Sequence, residues 1–212
     1  MSTWISRLFV ACAALAVAAC ADGLNPVATR AAPEQLFVTG DKIVVAGPPG
    51  FCIDTGASND AGESAFVLLA SCASISRDPD SPRPERPGLL TVTVSAGSGV
   101  DYDGFEAELE NYIRSTEGRA LLSRTGDASS LEILETQIEE GAIYIHARDG
   151  SDLSRGRLEA DYWRAFLGMG DRLVTASVTG FAATPLSREM GLFLLDSFAN
   201  RLMLENESGA GG

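Results

Sequence analysis

The chain holds one histidine, His146, and four cysteines, with no Cys-x-x-Cys or His-x-x-x-His spacing among them. It therefore lacks the clustered thiolate or imidazole ligands that a zinc site needs, and no metal or cofactor is expected. Basic residues are scarce: 16 Lys and Arg stand against 29 Asp and Glu, a net charge of −13. A surface of that sign repels phosphate backbones, which are held by clustered Lys and Arg that displace counterions, so nucleic acid is not an expected partner. A nucleophilic serine motif is missing too, because Gly62-Glu63-Ser64-Ala65-Phe66 ends in Phe where Gly-x-Ser-x-Gly needs glycine. Asp101 and Asp103 precede a helical pattern but lack the further ligands and closing Glu of an EF-hand loop. They read as favourable charge at a helix N-terminus.

The N-terminus is the most informative segment. MSTWISRLFVACAALAVAAC carries one positive charge, Arg7, then an apolar run from Leu8 to Ala19. That run is shorter than the ~20 residues needed to span a bilayer and has the layout of a secretory signal. Val17-Ala18-Ala19-Cys20 resembles the lipobox of bacterial lipoproteins. The resemblance implies cleavage before Cys20, a diacylglycerol on its sulfur and acylation of the new amino terminus. Ala21 stands where an Asp would imply retention in the inner membrane, so the resemblance implies the periplasmic face of the outer membrane. The expected organisation is a signal peptide over residues 1–19, a lipidated Cys20 with a tether to residue 35, one domain over 36–206, and a flexible tail over 207–212. The tether reading rests on two prolines, small residues and no periodic apolar face in ADGLNPVATRAAPEQ.

Export also bears on the cysteines. Cys12 leaves with the signal and Cys20 carries lipid, so Cys52 and Cys72 remain as an even pair in an oxidising compartment, where a disulfide is expected.

Beyond Leu36, Val-, Ile- and Phe-rich runs punctuated by Gly and Pro predict strands at 42–46, 51–54, 65–71 and 89–95, then at 131–137, 142–148, 162–167 and 173–178. Four prolines in residues 76–88 exclude regular structure there. Two segments change to a helical period. Phe105, Leu109, Tyr112 and Ile113 share one face, with Gly118 as the expected stop; Met190, Leu194, Phe198 and Leu202 form a second stripe, with Thr184 as N-cap and Pro185 at the first helical position. Strands without regular crossover helices imply an α+β domain, a mostly antiparallel sheet with two main helices packed on it. The closing hairpin and helix, from WRAFLGMGDRLVTASVTGF onward, resemble the end of PsbP-like domains, a group whose members include exported lipoproteins and accessory factors.

Asp54-Thr55-Gly56-Ala57-Ser58 resembles the active-site run of retropepsin-like aspartic peptidases. That resemblance implies a dimer in which two Asp54 carboxylates share a proton, supported by an apolar-apolar-Gly segment for which Phe166-Leu167-Gly168 is the candidate. Against it, Asp-x-Gly-x-Ser is also ordinary turn chemistry, in which Asp caps its own backbone and Gly supplies positive φ. A turn tied down by Cys52 is the preferred expectation. His146 in AIYIHAR should face away from Ile143 and Ile145 as a strand histidine, and Glu132, Glu135, Glu139 and Glu140 read as solvated strand and turn edges. Alternation puts Trp163, Ala165 and Leu167 on one face and Tyr162, Arg164 and Phe166 on the other, so both faces should meet apolar partners. The functional expectation is a non-catalytic binding or accessory protein of the cell envelope, held to the membrane through Cys20 and acting with an envelope protein partner. The rivals are a dimeric aspartic peptidase using Asp54 and a small-ligand carrier with a pocket between sheet and closing helix.

Overall fold

The computed structural model describes residues 29–30, 32–40, 42–99, 101–102, 104–151 and 157–207. Cys20, Asp103 and the tail beyond Glu207 lie outside them. Among the described residues no helix is long and apolar enough to cross a membrane.

The fold is α+β. A short hairpin, β1 (Gln35–Val38) with β2 (Ile43–Ala46), lies apart from the main sheet. That sheet contains β3 (Phe51–Ile53), β5 (Ala65–Ser71), β6 (Leu89–Val94), β7 (Leu131–Glu139), β8 (Ala142–Asp149), β9 (Leu158–Met169) and β10 (Arg172–Phe181), in the order β3-β5-β6-β10-β9-β8-β7, with the two-residue β4 (Asn59–Asp60) on β5. Every pairing is antiparallel. The helices are α1 (Cys72–Ser76), α2 (Glu106–Arg114), α3 (Thr116–Leu122) and α4 (Arg188–Glu207).

Alternation along β9 divides the core as expected. Trp163, Ala165 and Leu167 join the larger cluster, with Val67, Leu69, Val92 and the α4 residues Leu195, Phe198 and Leu202. Tyr162 and Phe166 point the other way, into a smaller cluster with Ile143, Ile145 and the α2–α3 residues Ile113 and Leu122. The α4 stripe is buried because it meets both the sheet and the hairpin; Val38, Ile43 and Val45 belong to the same cluster. Near the end of α4, Asn206 closes that contact. Its Oδ1 accepts from the Val44 backbone N–H and its Nδ2 donates to the Val44 carbonyl, both at 2.9 Å, so an amide side chain pairs with strand β2.

Two helix boundaries differ from the expectation. Gly118 does not stop a helix. The break comes at Ser115, whose extended backbone ends α2 and whose Oγ accepts from the Gly118 N–H at 3.0 Å to cap α3. Gly118 serves close packing instead, since a Cβ there would stand 2.1 Å from the Tyr112 carbonyl oxygen. Likewise α4 starts at Arg188 and not at Pro185. Thr184 bridges back to Phe181, and the Leu186 N–H donates to Glu159 Oε2 at 3.0 Å, so a tertiary contact holds the segment out of the helix. Ser187 becomes the cap, its Oγ 3.3 Å from the Met190 N–H.

At the β3 edge, Cys52 and Cys72 form a disulfide with Cα atoms 4.7 Å apart and a sequence separation of 20. The ordered backbone reaches upstream of Leu36: Arg30 N–H donates to Ser76 O at 2.9 Å and Ile53 N–H to Pro33 O at 2.8 Å. The end of the expected tether is thus stitched to the disulfide corner. Replacing both cysteines by alanine is expected to lower stability by about 3 kcal/mol, from the loop-closure entropy of a loop this long, measured by urea unfolding. An unchanged midpoint would show that the corner holds without its crosslink.

Candidate functional site

The residues singled out in the sequence do not gather at Asp54. Its Oδ1 accepts from the Gly56 N–H at 3.0 Å and lies 3.5 Å from Arg30 Nη2. Its carbonyl accepts from the Ser58 hydroxyl at 2.8 Å, and Ser58 Oγ in turn takes the Leu68 N–H at 3.0 Å. This is the self-capping turn that the Asp-x-Gly-x-Ser pattern predicts. One detail differs, because Gly56 is not among the positive-φ glycines; what it supplies is room, with a Cβ there 3.0 Å from Arg30 Nη2. The proposed support, Phe166-Leu167-Gly168, lies in β9, four strand spacings from β3, or roughly 19 Å. Phe166 and Leu167 are buried in opposite clusters. They support the sheet and the helices on its two faces, not the Asp54 loop. Asp101 is exposed, and Ser64 is half-buried beside the β5 start.

The polar side chains that do converge lie at the other end of the sheet. A β-bulge between Ile133 and Glu135 sets the register of β7, so that Glu135 opposes His146, Gln137 opposes Tyr144 and Glu139 opposes Ala142. These side chains share the face of β8 that carries Tyr144 and His146, away from Ile143 and Ile145 as expected for His146. Over them passes the first half of α4. Arg188 and Leu192 fall at i and i+4, and Glu189, Phe193 and Asp196 at i, i+4 and i+7, which lays two rows of side chains along the cleft.

Depth comes from Gly191. A Cβ at this position would stand 2.5 Å from Trp163 Cδ2 and Cε3, so only glycine lets the α4 backbone rest on the indole. His146 stacks on the same indole, ring centroids 4.2 Å apart and planes 8° from parallel. Burial, the larger effect, holds the imidazole pKa below its ordinary value, and the carboxylates of Asp161 and Glu135 only partly oppose it. Asp161 Oδ2 is 3.5 Å from His146 Nε2, outside hydrogen-bonding geometry, while Arg148 takes both Asp161 oxygens at 2.6 and 2.9 Å.

Two connected spaces result. The inner one, about 10 Å³, is lined by Glu135, Gln137, Tyr144, His146 and Trp163. The outer groove, about 350 Å³, adds Glu139, Glu189, Phe193 and Asp196. Arg188 and Leu192 border both. Arg188 reaches across to Glu135, with Nε to Oε2 at 2.8 Å and Nη2 to Oε1 at 2.6 Å, so this guanidinium is already neutralised. That pairing, followed by a bond from Gln137, draws the Glu135 pKa down. Glu135 is thus a tie between strand and helix and not the solvated edge expected of it, whereas Glu132, Glu139 and Glu140 are exposed as expected.

Tyr144 is 4% exposed, and its hydroxyl, like His146 Nε2, is buried with no hydrogen-bond partner among the described residues. Such a group costs about 1–3 kcal/mol when left unsatisfied, so two in one small cleft mark a place prepared for something polar. Burial, then the charges of Glu139 and Asp196, push the Tyr144 pKa up to about 12. It stays a phenol at every physiological pH. Tyr144, Gln137, Arg188, Leu192 and Asp196 were not singled out in the sequence; the period-2 pairing of Tyr144 with His146 was the available signal.

No protein-family model matches the chain. No curated protein matches it. A solved structure from Bacteroides thetaiotaomicron VPI-5482 is similar at 14% sequence identity, with a TM-score of 0.30, over 76% of this chain and 45% of that one.

Because His146 is the single histidine, its titration is readable without assignment by proton NMR. It is expected to titrate below 6.5, the value from which burial lowers it. The unfolded chain then binds this proton more tightly than the native one, so the stability from the neutral imidazole is complete above pH 6.5 and is lost as pH falls towards the folded value. Wild type should lose more Tm than His146→Gln between pH 7.5 and 5.5. A midpoint at or above 6.5 would contradict the burial account.

Proposed function

We propose that the chain is a lipid-tethered binding protein of the bacterial cell envelope, anchored through Cys20 at the periplasmic face of the outer membrane, and that it works by presenting the β7–β8–α4 cleft to a partner without catalysing a reaction. The observation that carries this reading is where the chain enters the fold. Arg30 and Pro33 dock at the β3 edge, on Ser76 and Ile53, and β7 is the opposite edge of the sheet. Six strand spacings, roughly 29 Å, separate the entry from the cleft. A domain held by its β3 edge turns its cleft away from the anchor, and the tether sets the distance over which it searches.

Several features support the reading. Phe193 is 64% exposed on the rim of the groove, an apolar side chain that a partner would cover. Asp54 is committed to its own turn and to Arg30, which favours a structural role over a proton-sharing pair. The closing β9–β10–α4 unit is the part that resembles PsbP-like domains, in keeping with an accessory role. The groove volume, within the range of small-molecule sites, favours a carrier as the second reading.

A photocrosslinking residue placed at Phe193 in cells tests this. It should give a discrete adduct with an envelope component, and the same residue at Leu121, exposed on α3, should not. Cys20→Ser should move the chain out of the membrane fraction and weaken the adduct. Equal labelling from both positions, or membrane retention of Cys20→Ser, would overturn the proposal.

A further inference from the structure

We infer that the β7–β8–α4 cleft is a binding site for a primary ammonium group carried on an apolar stem. This rests on the cleft being the recognition surface proposed above and assigns the chemistry of what it takes.

The sign of the charge is the first argument. Glu135, Glu139, Glu189 and Asp196 face the two spaces against one guanidinium, Arg188, and that guanidinium is committed to Glu135. Burial keeps His146 on the neutral side and adds no opposing charge at neutral pH. Glu139 and Asp196 have no ion-pair partner among the described residues, though they stand close enough to Tyr144 to act on its phenol. An anion entering here would meet unpaired carboxylates, and a cation would neutralise them.

The second argument is independent of charge. Tyr144 lines both spaces, and its hydroxyl is buried and unpartnered among the described residues. A phenol oxygen accepts a hydrogen bond, whereas His146 Nε2 faces the Asp161 carboxylate at 3.5 Å and carries its proton towards it. The inner space is the size of one water molecule, which is also the size of an ammonium head group. One donor of a small cation meets the phenol oxygen that the protein leaves unused, and its charge meets Glu139 and Asp196 close by. A guanidinium, planar and wider, does not fit that space.

The third argument concerns the stem. Leu192 borders both spaces and Phe193 flanks the outer groove, so the way out of the polar chamber is apolar on its helix side. A short alkyl chain lies along that wall while its charge sits between Tyr144 and the carboxylates. A lysine side chain of a partner and a free alkylamine share this chemistry.

Isothermal titration of the full chain in detergent with n-hexylammonium, hexanoate and the peptide acetyl-Gly-Lys-Gly-amide tests the inference. Hexylammonium is expected to saturate one site. Glu139→Gln with Asp196→Asn should weaken it at least ten-fold, and Tyr144→Phe at least three-fold, with unfolding midpoints near wild type. Hexanoate should not saturate. Absence of saturable hexylammonium binding, equal binding of hexanoate, or variants that bind like wild type would overturn the inference. Tighter binding of the lysine peptide would assign the ammonium to a protein partner, and tighter binding of hexylammonium to a free amine; both support the site. A crosslink at Phe193 without ammonium binding would overturn the cation assignment while leaving the binding surface. Ammonium binding without a crosslink would support the site and remove the protein partner.

Discussion

The contact between the Gly191 backbone and the Trp163 indole sets the geometry of the half of the molecule that carries the cleft. A helix normally approaches a sheet at the distance its side chains allow. Here the absence of one Cβ lets α4 settle on a fused aromatic ring, because any side chain at 191 would overlap it. That approach brings Arg188 within reach of Glu135 and sets Leu192 in the wall of the small space that His146, Trp163 and Tyr144 also line. The far end of the same helix is fixed separately, by Asn206 on β2. Both ends of α4 are thus tied to the sheet and hairpin by specific contacts.

The rest of the architecture explains why the cleft sits where it does. A seven-strand path has a disulfide corner at one edge and a nine-residue strand, which carries the cleft, at the other. The corner gathers the incoming chain, Ser76 and the Asp54 turn, and the turn's Asp54 and Ser58 side chains are bonded to its own backbone and to β5. At the opposite edge, β7 turns Glu135, Gln137 and Glu139 towards α4, and the groove there leaves a phenol oxygen and carboxylates unpaired. The Asp-Thr-Gly-Ala-Ser run, which in isolation suggests a catalytic carboxylate, lies at the disulfide edge, where Asp54 is bonded within its own turn and faces Arg30.

Much of the fold was legible in the sequence where one periodicity dominates. Alternation through Tyr162–Leu167 gave both faces of β9 correctly because each face meets its own apolar layer, and the Leu194-Phe198-Leu202 stripe gave α4 because it is buried along its length. The disulfide followed from counting cysteines in a chain whose N-terminus resembles an export signal. Boundaries set by tertiary contact were not legible. Gly118 looked like a stop but packs on Tyr112, and Pro185 looked like a first helical residue but Glu159, 27 positions from Leu186, holds that segment out. The cleft was hidden for the same reason. His146 and Glu135 were visible as residues, but their chemistry depends on Arg188, 53 positions from Glu135, and on a glycine whose importance lies in the ring beneath it.

The dependence of the cleft on one contact is most directly measured by a double-mutant cycle between Gly191→Ala and Trp163→Leu, read by denaturant unfolding. With the indole present, the added methyl overpacks the helix–sheet contact and should cost about 1–3 kcal/mol. With the indole replaced by the smaller leucine, most of that cost should disappear, giving a coupling of at least about 1 kcal/mol. Additive costs, within about 0.5 kcal/mol, would contradict the claim that Gly191 matters because of Trp163.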